Sequence, residues 1–353
     1  MRVLGFGAGA IGSLVGARLS LRGVDVTLLG RRAHVAAIRT LGLILETPHE
    51  RLVCKDVDSI TMLDDLTGPP DLVLLTVKAY DTHAALEMLR PVLHGGVRIL
   101  SLQNGVGNEE LIAAVAGADR TVAGSVTINA SCPRPGVVRQ SSEAGGVAVA
   151  PLDPQRDVAD LVALFNEAGL PARSQRDFRA MKWSKLLLNI FTNATAAILD
   201  LSPVAVVDHP GLYRLERDAF REARRVMRAL GLRPIALPGY PVPLLQAAVA
   251  APPWMIRPVL RRYIRRGRGE GRPSLWHDLR RGRPQSEVEV LNGAVVREGA
   301  RLGVPTPVNA VLTEVLVGLA GGRLDPAQFR GRPEALFALL NNGGRSAVPP
   351  QML

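Results

Sequence analysis

Only four of the chain's 43 basic residues are lysines, Lys55, Lys78, Lys182 and Lys185; all the others are arginines. Arginine keeps its proton at any working pH, whereas burial can tune a lysine into a proton donor or acceptor. A lysine retained in so arginine-biased a chain therefore marks a chemical need. Lys182, Lys185, Asn189 and Asn193 are spaced three, four and four apart, which places them along one face of a helix. Leu186, Leu187, Leu188, Ile190, Phe191 and Ile198 cover much of the rest. A stripe of this kind is either the helix's solvated face or the lining of a wet cleft. A solvated face would carry Glu and Arg in place of paired asparagines, which are poor helix formers, so the cleft is the better reading.

A second group lies at the N-terminus. Gly7, Gly9 and Gly12, with Ala8, Ala10 and Ile11 between them, follow the apolar run Val3–Phe6 and open a helical stretch, Ala10–Leu21. The pattern is that of a phosphate-binding loop. The first glycine makes the tight turn, the second admits a pyrophosphate to the backbone, and the third lets helix and strand pack closely. The helix N-terminus supplies amides and positive dipole. After the next β-rich run, Val24–Leu29, come Gly30, Arg31 and Arg32. An acidic residue here would receive the ribose hydroxyls of NAD; arginine suits the extra 2′-phosphate of NADP. A leader-peptide reading of the same segment fails, because the three glycines spoil a helical apolar core.

These residues need elements to hold them. Asp71–Val77 and Arg98–Leu102 read as strands covered on both faces. Lys78 and Asn104 follow at their carboxyl ends, where an open α/β sheet binds its ligand; for Asn104-Gly105 a plain turn is an equal reading. Around Gln175 the pattern turns helical. Asp177–Leu199 reads as one helix, Trp254–Arg268 as an amphipathic helix, Ser286–Gly303 as a helix capped by Ser286, and Val308–Leu319 as a closing helix. The fold class is α/β: an N-terminal Rossmann dinucleotide-binding domain at 1–174, an all-α C-terminal domain at 175–340, and a flexible tail at 341–353.

Composition excludes several classes. A chain of 353 residues that is 47% hydrophobic with a net charge of +11 is not mostly disordered. Two cysteines are too few for a disulfide framework, so a reducing cytoplasm is expected. No apolar run reaches the roughly 18 residues of a membrane helix. No metal-ligand cluster stands out, so no metal is expected. The basic excess collects at 257–283, where ten arginines face Glu270 and Asp278. In Trp254–Arg268, Ile256, Val259, Leu260, Tyr263 and Ile264 fall on one face, which favours a packed helix with solvated arginines over a membrane or nucleic-acid surface. Taken singly, Ser274 reads as a cap, His277 as a surface histidine and Glu287 as an acid in a helix's first turn.

Taken together, these segments resemble the ketopantoate reductase family, from residue 1 to about Asn309. The resemblance rests on Gly7–Gly12, Thr76-Val77-Lys78, Gln103-Asn104-Gly105, the block Trp183–Asn189 with Asn193, Ser274, the block 286–293, and Gly303–Pro307. It implies an active site between a Rossmann and a helical domain, with NADPH reducing the C2 carbonyl of ketopantoate to pantoate. Lys185 matches the catalytic lysine, the acid toward the developing alkoxide, and Glu287 the glutamate that bonds the reacting oxygen. Asn189, Asn193 and Ser274 match substrate contacts, while Lys78 and Asn104 match residues at the junction of cofactor and substrate. Two features depart from the pattern: the segment 236–272 is longer and richer in arginine, and Glu287 follows Asp278 by one residue more than the family pattern has. They leave open a related reductase of another 2-keto acid or ketone, and a non-catalytic NADP(H) sensor. The expected partner is a small 2-keto acid, with no nucleic acid and no membrane; whether the chain pairs as a homodimer stays open.

Overall fold

In the computed structural model, which describes residues 1–141, 144–268 and 271–341, the chain divides into two compact units. The first comprises Met1–Lys185 and Pro234–Pro243, the second Leu186–Arg233 and Leu244 onward.

The first unit carries strands β1 (Arg2–Phe6), β2 (Asp25–Leu29), β3 (Leu43–Glu46), β4 (Arg51–Cys54), β5 (Val57–Ile60), β6 (Leu72–Leu75), β7 (Arg98–Ser101), β8 (Thr121–Val126), β9 (Ala130–Arg134), β10 (Val137–Gln140), β11 (Val147–Pro151) and β12 (Ala172–Ser174). Its helices are α1 (Ala10–Ser20), α2 (Arg32–Leu41), α3 (Thr82–Leu89), α4 (Asn108–Ala116) and α5 (Ala159–Glu167). The main sheet runs β12-β11-β8-β7-β6-β1-β2-β5, and only the β8–β11 pairing is antiparallel. A smaller sheet, β4-β3-β10-β9, lies alongside in the same unit. Leu72, Val73, Leu74 and Leu75 have no exposed surface, as expected of a parallel strand covered on both faces. The register aligns Phe6 with Leu29 on one side and Leu75 on the other, and Leu75 with Ser101. The carboxyl ends of β1, β2, β6 and β7 are therefore level. The order reverses at β1, so the switch point faces the glycine loop.

Helices α6 (Phe178–Ile190), α7 (Asn193–Leu199), α8 (Pro203–Asp208), α9 (Pro210–Ala229), α10 (Val242–Ala250), α11 (Pro253–Arg268), α12 (Ser274–Arg280), α13 (Asn292–Arg301), α14 (Pro307–Ala320) and α15 (Pro333–Asn341) complete the described chain. The division between the units falls inside α6, between Lys185 and Leu186. The fold class is as the sequence pattern implies, a parallel α/β part followed by a helical part. Of the expected tail, Asn341 ends α15 and 342–353 lie outside the described residues.

Three helical expectations need correction. The single helix Asp177–Leu199 is two helices: Thr192 takes φ 65° between α6 and α7, and its amide donates to Glu216 Oε2 at 2.7 Å. A buried carboxylate from α9 satisfies the amide that the break releases, so the chain turns without losing a hydrogen bond. Ser286–Gly303 is likewise interrupted. Ser286 accepts from the Val288 amide and opens a 3-10 turn, Glu287–Val290, before α13 begins at Asn292. The third correction is to the faces of α11. Arg257 turns inward to the carbonyls of Val207 and Asp208, and Arg261 pairs with Asp208 at 3.6 Å. Trp254, Met255 and Val259 face out. The negative end of α8 attracts these two arginines, while Leu260 is buried and Ile256 half-buried as the apolar pattern implies; the Tyr263 side chain lies outside the described residues.

Candidate functional site

The glycine loop is shaped by contacts that exclude side chains. Gly7 takes φ 111°. A Cβ at Gly12 would lie 2.4 Å from the Gly7 carbonyl oxygen and 2.6 Å from Thr76 Oγ1. Thr76 donates to that same carbonyl at 2.6 Å, and the amides of Gly7 and Ala8 donate to Leu29 O. The loop is thus pinned to β2 on one side and to the segment after β6 on the other. At Gly9 the surroundings differ: a Cβ there would meet only the Gly7 oxygen, at 4.0 Å. Gly9 caps α1 without any side-chain hydrogen bond, and no acid stands in the first turn. An open, uncapped, acid-free helix start is what a pyrophosphate requires, so Gly7, Ala8, Gly9, Ala10, Ile11 and Gly12 fit a dinucleotide. Arg31 is exposed at the start of α2, two residues beyond the end of β2.

Lys78 and Asn104 stand just past the level ends of β6 and β7, both half-buried. Gln103 ties their two segments together, donating to Val77 O at 3.1 Å and to Thr82 Oγ1 at 2.8 Å. Asn108 braces the turn by donating to Asn104 O. Lys182 lies beneath. Its ammonium donates to Gln103 O at 2.7 Å and stands 2.8 Å from Glu109 Oε1, in a pair that is 3% and 1% exposed. Lys182 therefore leaves the polar stripe and closes the sheet's end from inside. Lys185 and Asn189, one turn apart on α6, remain half-buried on a shared face.

In the second unit the structure brings Asn193 and Ser274 together. Asn193 Oδ1 accepts from the Leu275 amide at 3.3 Å, and its Nδ2 lies 3.5 Å from Ser274 Oγ. Asn193, 4% exposed, caps α12 from α7, leaving Ser274 exposed on the first turn. Ser274 is not the cap its sequence position suggested; Pro273 holds that place. Glu287 sits on the 3-10 turn, 3% exposed, and not in the first turn of an α-helix.

Several residues that hold this frame escaped the sequence reading. Glu222 of α9 accepts from the Val308 and Asn309 amides at 3.0 Å and from Asn309 Nδ2 at 2.7 Å, capping α14. Burial pushes its pKa up, against the pull of those bonds. Asp200, at the end of α7, receives the Trp276 indole at 2.7 Å together with Arg280, Arg272 and Arg330. Glu222 stands between Arg221 and Ala223, so nothing local distinguishes it from a solvated acid, and its partner Val308 lies 86 positions along the chain. Among the described residues no cluster of His, Cys, Asp and Glu could hold a metal, and no helix is long and apolar enough to cross a membrane. Cys54 and Cys132 are not joined in a disulfide, and burial pushes the Cys54 thiol up to about 11.

Comparison with known proteins covers almost all of this frame. Residues 3–154 match the family model described as ketopantoate reductase PanE/ApbA, and residues 177–320 match its C-terminal counterpart. A 2-dehydropantoate 2-reductase of Archaeoglobus fulgidus is 31% identical over 323 residues, 91% of this chain and 98% of the relative. One of Pyrococcus horikoshii is 30% identical over 88% of this chain and 95% of its own. The crystal structure of a ketopantoate reductase from Ralstonia eutropha superimposes with TM-score 0.78 at 32% identity, covering 92% of this chain and 99% of that one. A D-mandelate dehydrogenase, solved with NADH and anilino(oxo)acetate, shares the fold with TM-score 0.79 at 23% identity, over 91% of this chain and 99% of its own. With both halves matched and relatives aligned nearly end to end, the chain belongs to the ketopantoate reductase family of oxidoreductases.

Proposed function

We propose that the protein is an NADPH-dependent 2-dehydropantoate 2-reductase. The observation that carries the cofactor reading is the open, acid-free start of α1 beside Arg31, where an NAD-specific unit would place a carboxylate. The family's named relatives carry the substrate reading. When bound, NADPH supplies the hydride that converts the C2 carbonyl to an alcohol. Gly7–Gly12 would hold its pyrophosphate on backbone amides, Arg31 would take the 2′-phosphate, and Lys78 and Asn104 would serve its nicotinamide end.

Negative charge builds on the carbonyl oxygen as the hydride arrives. A cation there binds the transition state more tightly than the ketone, which is the condition for catalysis. Lys185 fills that role and passes its proton to the oxygen. Glu287 accepts a hydrogen bond from the new hydroxyl and orients it. Asn189, Asn193 and Ser274 donate to the 2-keto acid, Ser274 beside its carboxylate. Asn193 is suited to this because the Leu275 amide already fixes its carbonyl end, leaving the amide nitrogen toward Ser274.

The test is NADPH oxidation with ketopantoate. Lys185→Ala should lower kcat by about 100-fold or more, the usual worth of a positioned proton donor, with NADPH binding retained. Wild-type turnover with NADH alone would overturn the cofactor reading, and failure on ketopantoate would overturn the substrate. A second reading, reduction of another 2-keto acid, is favoured by the likeness to D-mandelate dehydrogenase. A panel that includes an aromatic 2-keto acid decides between them. NADPH binding without turnover on any member of the panel would instead mark a sensor.

A further inference from the structure

His34 is 8% exposed, three residues beyond Arg31 in the first turn of α2, yet both of its ring nitrogens are engaged. Gly136 of the β9–β10 turn donates its amide to Nδ1 at 3.0 Å. Nδ1 is therefore the acceptor, and Nε2 carries the proton that it gives to Ser13 Oγ, also at 3.0 Å. Ser13 follows Gly12 directly in α1 and is fully buried. A single neutral imidazole thus bridges the helix that opens the phosphate loop, the helix that begins with the arginines, and a turn of the smaller sheet.

The bridge is tight on every side. Gly136 takes φ 74°, and a Cβ there would lie 2.8 Å from Ala37 Cβ of α2. The Arg31 carbonyl accepts from the His34 and Val35 amides, so the backbone of Arg31 moves with His34. Burial lowers the pKa of His34, which keeps it neutral and able to accept from Gly136. A mere packing residue at this place could be apolar; two buried polar bonds, each costly to leave unmade, buy a fixed spacing instead.

We propose that His34 is a positioning residue for cofactor choice: it sets the distance between the pyrophosphate cradle and Arg31, and with it the preference for NADPH over NADH. The inference rests on the NADPH reading above. The mechanism is indirect, since His34 touches neither phosphate. A displaced Arg31 would lose its charge-assisted bonds to the 2′-phosphate, while NADH, lacking that phosphate, would not register the shift.

The experiment is fluorescence titration of the full chain with NADPH and with NADH, alongside thermal melting without cofactor. In His34→Ala the NADPH Kd should rise about tenfold, the equivalent of one hydrogen bond, while the NADH Kd changes less than twofold. His34→Asn, which retains an acceptor for the Gly136 amide, should recover part of the loss. Ser13→Ala should show the same selective loss in a well-folded chain. Adding His34→Ala to Arg31→Ala should cost nothing further. Parallel weakening of both cofactors, or no change in either, overturns the role of His34 and leaves the NADPH reading intact. Wild type that shows no preference for NADPH overturns that reading, and the inference with it.

Discussion

Lys182 and Lys185 are three positions apart on one helix and identical in type, yet their surroundings assign them different work. Lys182 is enclosed with Glu109 and the carbonyls of Gln103 and Gly124, while Lys185 keeps part of its surface open. Removing one member of a buried ion pair strands the other charge in a poor solvent, at a cost of about 3–5 kcal/mol. Lys182→Met should lower the urea-unfolding free energy by about 3 kcal/mol. The double change Lys182→Met with Glu109→Leu should recover much of that loss, because no charge is then left alone. Lys185→Ala should leave unfolding within about 1 kcal/mol of wild type while removing activity. The lysine count and the helical spacing drew attention to both residues. Their separation depended on Glu109, 73 positions away in sequence, which no local pattern reveals.

At the scale of elements, the long helix α9 does unexpected duty. Its outward arginines and inward apolar residues make an ordinary amphipathic pattern, but Glu216 and Glu222 point inward too. Glu216 holds the amide at the α6–α7 break, and Glu222 holds the start of α14. Helix starts expose amides that need acceptors, and a carboxylate there also meets the positive dipole. Glu222→Ala should cost about 2–3 kcal/mol by urea unfolding, the range for losing buried hydrogen bonds to a charged group. Hydrogen exchange at Val308 and Asn309 should speed up before the rest of the chain responds. Strands β1, β2, β6 and β7 were legible to within one or two residues, because apolar runs of strand length admit few alternatives; the other eight were not read. The helix breaks at Thr192 and Leu291 were not legible either: Glu216 of α9 holds the first, and Asn309 of α14 bonds Asn292 beside the second.

Within the second unit as a whole, Asp200 joins residues spread along 130 positions of chain: Arg272, Trp276, Arg280 and Arg330. Burial alone would raise its pKa, but the Trp276 bond and the Arg280 and Arg272 charges outweigh it and hold the carboxyl below the usual aspartate range. A carboxylate whose folded pKa is depressed stabilises fully above its unfolded value, about 4, and loses that contribution as pH falls below it. Urea midpoints measured from pH 7 down to pH 3 should therefore drop less steeply in Asp200→Asn, which keeps an acceptor for Trp276, than in wild type. The arginine excess takes on a different meaning in this setting. Asp208 and Asp200 hold four of the ten arginines at 257–283, Arg257 and Arg261 at the end of α8 and Arg272 and Arg280 around Asp200, which also pairs with Arg330.

The sequence by itself determined the parallel α/β layer, the glycine-rich turn after β1, the helical second part and the family, because each depends on local spacing: three glycines in six positions, apolar runs of strand length, polar residues at helical intervals. The tertiary structure alone decided which lysine is buried, that Asn193 leaves the α6 row to cap α12, and that His34 bridges two helices and a turn. These outcomes turn on satisfying buried polar groups with partners tens of residues distant, and such pairing is settled only when the chain has closed around them.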